Sequence, residues 1–560
     1  MQKIFRVMII IAMLITAYLL ILAWRDDYAD APAVDTVPKT ATSVGADIPS
    51  TVGAAGDIPT QTLPVDSGTV TATPAENTGL ITVTTDRYDI KINPEGGDIV
   101  YAALKQYDAT LDSDKPFVLL ENNSNRVYVA QSGLIGQNGI DTAEGRATYS
   151  HTANNYVMEK GQQTLSVPLT YQKDGVTVTK TFTFTQDKYP IDISYQIQNA
   201  SANSWQGQMF AQLKRDDSKD PGMSDKGALS MATYLGGAWG TPDDPYNKLK
   251  FGKFNDGELT TSSDKGWVGI VQHYFVSAWT PENFTGKFFS RETGNDYFIG
   301  FNSQPINVAP NKQITLKATL YAGPKVQSEL KEVAVGLNQT VDYGLLWPIS
   351  KILFAILDGI HKVIGNWGWS IILLTLLVKI ALMWVSNKSY YSMAKMRAIA
   401  PRLAILKEEH GDDRMKMSQE MMAIYKEEKV NPMAGCLPIL MQMPIFLALY
   451  WVLVESVELR HAPWILWIRD LSAMDPWFIL PLLMGASMFV QQQLNPQPAD
   501  PMQAKVMKFL PIIFTAFMLF FPAGLVLYWT VNNLFSMTQQ YLINRKVEEE
   551  QKRRTVKVLD

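Results

Sequence analysis

One lysine, Lys379, lies inside the apolar stretch 367–385. A cation near the middle of a membrane-spanning helix costs about 2.5–3.5 kcal/mol on insertion scales, so such a residue is by default a candidate functional site. Its charge would attract an acidic group that enters the membrane beside it. The alternative is a side chain that snorkels to the surface. Asn387, however, is eight residues away, about 12 Å of helix, and a lysine stem covers only about half of that distance.

Polar side chains recur within the apolar stretches of the C-terminal half and could surround this lysine. Four of them are Thr375, Gln442, Ser487 and Thr515. The last stretch carries a stripe at helical spacing, formed by Tyr528, Asn532, Asn533, Ser536, Gln539 and Gln540. Short helices with inward polar groups and one unpaired cation predict a hydrated groove rather than a dry bundle.

The residue types give little indication of metal binding or catalysis. Cys436 is the only cysteine and there are five histidines, which excludes a multi-cysteine metal site and leaves little for a zinc enzyme. Neither His151 nor His273 belongs to a recognisable catalytic motif, and no glycine-rich phosphate loop occurs. We therefore expect no catalytic site, no cofactor and no bound metal.

Charge is distributed unevenly along the chain. Residues 26–345 hold 25 Lys or Arg against 37 Asp or Glu, whereas residues 346–560 hold 22 against 17. The sequence pI is near 5.9. Without a basic domain, direct nucleic-acid recognition is excluded as a main activity.

Six apolar stretches must position the polar residues, and they predict a polytopic α-helical membrane protein with six transmembrane helices and a five-helix core. Their bounds are 1–25, 367–386, 436–455, 477–491, 506–521 and 524–543. The first is either a cleaved signal peptide, with Ala29-Asp30-Ala31 as the cleavage pattern, or an uncleaved signal anchor. Its run of 18 uncharged residues exceeds the usual signal-peptide core, which favours the anchor.

Loop charges orient these spans. Nine basic residues fall in 386–431, two in 491–508 and six in 544–560, whereas the short loops of the other side hold only Arg460 and Arg469. By the positive-inside rule, both termini lie in the cytoplasm. The segment 387–431, the loop 492–505 and the basic tail 544–560 are then cytoplasmic, and the loop 456–476 is periplasmic.

The large segment between the first two spans consists of two parts that differ in composition and hydropathy pattern. Residues 26–79 are rich in Ala, Thr, Pro, Gly and Ser and predict a disordered tether. Residues 80–345 show period-two alternation, as in 176–184 after the turn Asp174-Gly175, and predict a large all-β periplasmic sandwich. The sandwich is expected to be an interaction module, although such a domain could also bind a sugar or a peptide.

Two further elements lie beside the spans. In 346–366, seven apolar residues between Ile349 and Val363 share one helical face, which predicts an amphipathic helix in the outer membrane interface. Residues 387–431 predict a cytoplasmic helical hairpin around His410-Gly411-Asp412-Asp413. Its methionine-rich seam either packs the two arms or adapts to apolar partners.

Several motifs occur in a fixed order along the chain. They are Gly365-Asn-Trp-Gly-Trp-Ser370, Lys429-Val-Asn-Pro432, Gln442-Met-Pro-Ile-Phe446 and Phe521-Pro-Ala-Gly-Leu-Val-Leu-Tyr528. Together they resemble the YidC family of membrane protein insertases, the bacterial branch of the Oxa/YidC/Alb family shared with mitochondria and chloroplasts. The resemblance covers essentially the whole chain and includes the anchor, tether and periplasmic domain of Gram-negative members.

The resemblance implies a non-enzymatic insertase and chaperone of the cell inner membrane, with a positively charged groove open to cytoplasm and lipid. Lys379 matches the family's groove cation, where many members have arginine. The expected groove residues are Lys379, Thr375, Gln442, Tyr528, Trp529 and Asn532, and the expected hydrophobic slide is Phe446, Met484 and Phe517. The implied partners are nascent inner-membrane proteins, the Sec translocon with its accessory subunits, the ribosome, signal-recognition targeting factors and the lipid bilayer.

Two rival functions come from other classes. A secondary transporter would require internal repeats, broken midplane helices and ion-coupling carboxylates, none of which is found in the sequence. A membrane-tethered glycan enzyme would require a catalytic constellation within 80–340, and the sequence offers none.

Overall fold

The computed structural model describes residues 58–59, 79–221, 233–257, 259–410, 414–428, 430–431, 435, 437–495 and 501–559. The expected anchor 1–25 and nearly all of the expected tether 26–79 lie outside the described residues. What is described begins with a β-rich part and continues into a helical part.

The β-rich part is a two-sheet sandwich. In chain order its strands are β1 Ile81–Thr84, β2 Tyr88–Asn93, β3 Asp98–Asp108, β4 Pro116–Asn123, β5 Arg126–Ile135, β6 Ser150–His151, β7 Asn155–Val157, β8 Thr164–Lys173, β9 Val176–Thr185, β10 Pro190–Asn199, β11 Trp205–Arg215, β12 Gly236–Gly240, β13 Asn247–Leu249, β14 Ser262–Ser263, β15 Trp267–Val271, β16 Phe275–Pro281, β17 Gly286–Thr293, β18 Asp296–Ser303, β19 Ile306–Val308 and β20 Lys312–Pro324. One sheet has the order β14-β17-β18-β11-β5-β4-β3-β2-β1-β7, with β19 beside β11, and the other has the order β13-β12-β15-β16-β20-β10-β9-β8-β6.

Local sequence explains the sandwich well. Asp174 and Gly175 both have positive φ, 50° and 78°, and close a two-residue hairpin that pairs Lys173 with Val176. Along β10 the alternating residues Ile191, Ile193, Tyr195 and Ile197 are all buried. The expected large all-β domain is therefore confirmed.

The core between the two sheets also contains charge. Lys180 of β9 is fully buried, and its Nζ donates to the carbonyls of Gly97 at 2.7 Å and Ser132 at 3.0 Å on the opposite sheet. Period-two alternation places this lysine on the same face as Phe182. A buried polar cluster thus links the two sheets.

The helical part begins at the end of the sandwich. Its helices are α1 Gln327–Val333, α2 Trp347–Ile364, α3 Trp367–Ala381, α4 Met383–Ala398, α5 Ala400–His410, α6 Arg414–Glu427, α7 Leu437–Glu455, α8 Ile479–Leu494, α9 Pro501–Met518 and α10 Ala523–Leu559. Gly365 ends α2 with φ of 73°, and the Asn366 side chain caps α3 by accepting from the Trp369 N–H at 3.1 Å.

Length and apolarity single out one helix among the described residues, Gly344–Ile364, as able to cross a membrane. A second candidate arises if the bent pair α3 and α4 counts as one span, and Leu440–Glu455 is apolar but shorter. The residues 346–366, expected to lie in the membrane interface, are thus the ones that pass this test. The count of six spans remains a prediction.

Several element bounds differ from the expectation. The stretch expected as one span, 367–386, is α3 and α4 meeting at an angle of 69°. The Ser386 hydroxyl donates to the Leu382 carbonyl at 3.0 Å at this bend, a contact that often bends helices. The stretch 506–521 is preceded by an extra helical turn in α9, and 524–543 runs without a break into the tail as α10.

Candidate functional site

Lys379 occupies the last turn of α3 and is only 4% exposed. Because α3 has 15 residues and bends directly afterwards, the lysine lies near a helix end, where the carbonyl dipoles favour a cation. The 12 Å of straight helix assumed between Lys379 and the polar residues after it is therefore absent. Its side chain nevertheless points inward, toward α7 and α10.

The groups that bind the lysine are neutral. Its Nζ lies 2.8 Å from the Ser536 hydroxyl and 3.5 Å from Oε1 of Gln442. Gln442 in turn donates to the Tyr528 hydroxyl at 3.1 Å and also bonds with Asn532. Within the described residues no carboxylate lies at ion-pair distance from Lys379.

Five of the expected groove residues have clear places in this arrangement. Lys379, Gln442, Tyr528 and Asn532 form one connected network. Thr375 is buried on the same helix, but its hydroxyl donates to the Ile371 carbonyl at 2.7 Å rather than to the network. The direct partner Ser536 was recognised only as part of the polar stripe; the i, i+4 spacing from Asn532 is the signal that places it on the same face.

The sixth groove residue, Trp529, lies between rings of two helices. Its ring is 4.8 Å from Phe446 of α7 and 4.9 Å from Phe514 of α9, and its Nε1 is buried with no hydrogen-bond partner in the described structure. Of the slide residues, Phe446 and Met484 are buried and only Phe517 is exposed, at 43%. The three therefore do not form one exposed surface, because α7 and α8 turn their residues into the helical core.

The rest of the polar stripe fastens α10 to its neighbours. Asn533 donates to the Ser487 hydroxyl of α8 at 3.0 Å, and Gln539 donates to Asn387 of α4 at 2.7 Å. Gln540 donates to Asn495, which follows α8, at 2.9 Å. These bonds leave Lys379 as the charged element of an otherwise neutral polar face.

Another buried lysine joins the sandwich to α7. Lys325, just after β20, pairs with Glu455 at 3.0 Å and also donates to the Thr340 carbonyl at 3.0 Å. Next to this pair, Nε2 of His273 lies 2.8 Å from the Val454 carbonyl. Burial, with a smaller effect of the Lys325 charge, lowers the pKa of His273 to about 3, so this imidazole is neutral and donates to the carbonyl.

The described residues do not include a set of side chains suited to bind a metal ion. No group of three or more His, Cys, Asp or Glu residues that could hold a metal ion occurs among the described residues. The site offers one cation, hydroxyl groups, amides and aromatic rings, which can bind and guide a polar segment.

Comparison with known proteins defines the class first. Residues 80–356 match the family described as YidC periplasmic domain, and residues 359–551 match the family described as 60Kd inner membrane protein. The molecule is thus an inner membrane protein with a large periplasmic β domain and a C-terminal helical region.

Full-length relatives narrow this to one family. A protein of Pseudomonas syringae pv. tomato named membrane protein insertase YidC is 50% identical over 552 residues, covering 97% of this chain and 98% of the relative. A Pseudomonas fluorescens protein of the same name is 49% identical, with 97% and 98% covered. A solved structure described as the active YidC insertase with its first transmembrane domain resolved is 19% identical, covers 83% of this chain and 93% of its own, and gives a TM-score of 0.36. The chain belongs to the YidC family of membrane protein insertases.

Proposed function

We propose that this chain inserts and folds inner-membrane proteins through a hydrated groove centred on Lys379. In this proposal the anchor and five further spans cross the membrane with both termini in the cytoplasm. The polar tail of an incoming helix enters the groove from the cytoplasmic side, and no covalent step is involved.

The observation that carries the proposal is the set of neutral partners around Lys379. A buried lysine paired with carboxylates would have its charge compensated within the protein. Among the described residues, the ammonium binds the neutral groups of Ser536 and Gln442, so its charge would be available to an acidic or polar tail. The tail would exchange the neutral contacts for a stronger charged one.

The free energy for insertion would come from the substrate itself. Each Leu, Ile, Phe or Val of an incoming helix gains about 0.3–0.6 kcal/mol on entering the middle of the bilayer. Exposed Phe517 on α9 would guide this apolar segment into lipid, and the buried ring of Phe446 with the half-buried ring of Trp529 would line the inner wall. The groove would lower the barrier for the polar end, which gains nothing from lipid.

Partners beyond the substrate are part of the same proposal. The cytoplasmic segment 387–431, with α5 and α6 as its two arms, is the element suited to ribosomes and targeting factors because it carries nine basic residues. Cooperation with the Sec translocon and its accessory subunits is expected for larger substrates.

The direct test uses purified protein in liposomes and a small single-span substrate with either an acidic or a neutral translocated tail. Lys379→Ala should slow insertion of the acidic-tailed substrate about fivefold or more, because loss of about 1 kcal/mol of attraction at short range already gives that factor. Lys379→Arg should retain activity, since arginine keeps the charge. The matched control is Lys362→Ala, which removes an exposed lysine of α2.

Water access supplies a second readout. A cysteine at 379, with Cys436 replaced by serine, should react with a membrane-impermeant maleimide added from the cytoplasmic side. A cysteine at Leu374, buried on the same helix, should not react. Equal insertion of both substrates by Lys379→Ala would refute the role of the charge.

A further inference from the structure

The segment between α7 and α8, residues 456–478, has one polar edge and one apolar edge, and we name it the outer loop. Its polar edge binds the sandwich. Arg460 donates to the Asp108 carbonyl at 2.7 Å, and Arg469 pairs with Asp112 at 2.7 Å. The outer loop is therefore held on one side by the β domain.

The apolar edge ends in a closed turn with an unusual residue at its tip. The Trp464 N–H donates to the Ile468 carbonyl at 2.9 Å, and Leu466 between them has φ of 54° and is 80% exposed. A left-handed backbone is unfavourable for leucine, for which glycine or asparagine would be the unstrained choice. Strained backbone is concentrated at functional positions, so exposed Leu466 is a candidate contact for an apolar partner.

A pair of tryptophans extends this edge. Trp477, 64% exposed, stacks on Trp467 with ring centroids 5.9 Å apart and an interplanar angle of 17°. Asp475 fixes both residues by accepting from the Trp467 Nε1 and from the Trp477 N–H, each at 3.0 Å. Asp475 and the stacking contact thus position this pair of rings.

The apolar edge continues into the outer ends of two helices. The Trp464 ring lies edge-on to Trp369 in the first turn of α3, at 5.9 Å, and no side chain could replace the hydrogen of Gly368 without colliding with Trp464. Leu482 and Leu483, near the start of α8, are exposed. Exposed apolar side chains thus occur at the loop tip and at the adjoining ends of α3 and α8.

We propose that the outer loop inserts Leu466 and Trp477 into the boundary between headgroups and acyl chains of the outer lipid leaflet. The inference rests on the span topology given under Proposed function. Tryptophan is enriched at that depth because its ring is apolar and its N–H is polar. Both ends of the loop belong to apolar helices, and its charged edge faces the sandwich. The loop would thereby hold the sandwich at a fixed height over the bilayer.

A depth measurement tests the proposal on the full chain. With Cys436→Ser, single cysteines are introduced as Leu466→Cys, Ile512→Cys and Val157→Cys and labelled with a nitrobenzoxadiazole fluorophore. Ile512 is an exposed residue of α9, and Val157 is an equally apolar exposed residue of the sandwich. The proteins are reconstituted into vesicles of phosphatidylethanolamine and phosphatidylglycerol that carry spin labels near the start or near the end of the acyl chain.

The label at 466 should be quenched by the shallow spin label about threefold more than the label at 157, as expected for an interfacial depth. The label at 512 should respond most to the deep spin label. If the label at 512 is quenched and the label at 466 is not, this inference is wrong although the topology holds. The loop tip would then contact a protein partner or water. Loss of quenching at both positions would contradict the proposed topology itself.

A second variant separates the lipid contact from turn geometry. Leu466→Asn keeps a residue that tolerates the left-handed backbone. With a label at Ile465→Cys, this substitution should reduce shallow quenching about twofold because the apolar tip no longer holds the turn in the interface. Unchanged quenching would show that Leu466 does not anchor the loop.

Discussion

Arg146 in the sandwich and Lys379 in the helical part are both buried cations, but their surroundings are opposite. Arg146 pairs with Asp98 at 2.9 Å and with Asp141 at 2.8 Å. Burial alone would lower the pKa of Arg146, but the two carboxylates outweigh burial and raise the pKa above its ordinary value. The partners of Lys379 in the described part of the chain are a hydroxyl group and an amide.

The difference between charged partners and neutral partners separates structural charges from functional ones in this chain. Fully buried Lys180 adds a fourth charge to the cluster of Arg146, Asp98 and Asp141, where burial lowers the pKa of Lys180 to about 7. The sandwich thus compensates charge with charge, and its cluster serves folding. In the helical part, the described partners of Lys379 do not compensate its charge, which costs stability. This pattern is expected of a functional residue.

The largest expected effect concerns the sandwich cluster. Arg146→Met should lower the free energy of unfolding of the sandwich by about 4–5 kcal/mol, because it leaves two buried carboxylates without their cation. Chemical denaturation of the full chain in detergent, followed by protease resistance of the β domain, measures this loss. Arg469→Met, which removes an exposed cation, should cost less than about 1 kcal/mol. A loss for Arg146→Met as small as that of the control would remove the contrast between the two regions.

The ion pair between Lys325 and Glu455 tests the junction of the two regions. Lys325→Met alone should cost about 3 kcal/mol, since Glu455 is then buried without a partner. The double variant Lys325→Met, Glu455→Met should return close to the native value because no charge remains to be compensated. Thermal unfolding in detergent gives both numbers. Additive losses in the double variant would mean that the two residues act independently.

Sequence patterns predicted the elements of both regions better than their contacts. Period-two alternation located the β strands, and helical spacing located the polar stripe on α10, because each depends on neighbours along the chain. The pairing of Lys379 with Ser536 joins residues 157 positions apart. Such a contact depends on how α3 and α10 pack, which no local pattern specifies.

The same limit applies to the burial of side chains and to helix bends. An apolar residue in a membrane helix can face lipid or a neighbouring helix, so Phe446 and Met484 could not be assigned to a buried position from hydropathy alone. The bend at Leu382 was also missed, because a serine bonded to its own helix has no distinctive spacing. Lys180 was part of a recognised strand, yet its charge concealed that it lies on the buried face.

Acid should weaken the junction through His273. Its folded pKa is about 3, against an ordinary value near 6.5, so the unfolded chain takes up a proton first as the pH falls. The stability contribution is complete above pH 6.5 and should decrease by about 2 kcal/mol between pH 6.5 and pH 5. His273→Gln, which keeps a donor for the Val454 carbonyl, should flatten this part of the pH profile. A native-like profile in His273→Gln would assign the acid sensitivity to other groups.

Substitution of Lys379 is expected to have the smallest effect on stability and the largest effect on insertion. Lys379→Met removes two hydrogen bonds, worth about 1 kcal/mol each, but it also removes a buried cation whose cost is about 2.5–3.5 kcal/mol on insertion scales. Ser536 still donates to the Asn532 carbonyl at 2.7 Å, and Gln442 still donates to Tyr528, so little is left unsatisfied. These opposing terms predict a change within about 1 kcal/mol of zero, in the stabilising direction. Thermal unfolding of Lys379→Met beside Arg146→Met, under the same detergent conditions, measures the comparison directly. If Lys379→Met lowered the free energy of unfolding by several kcal/mol, Lys379 would be a structural charge like those of the sandwich. Its proposed functional role would then be contradicted.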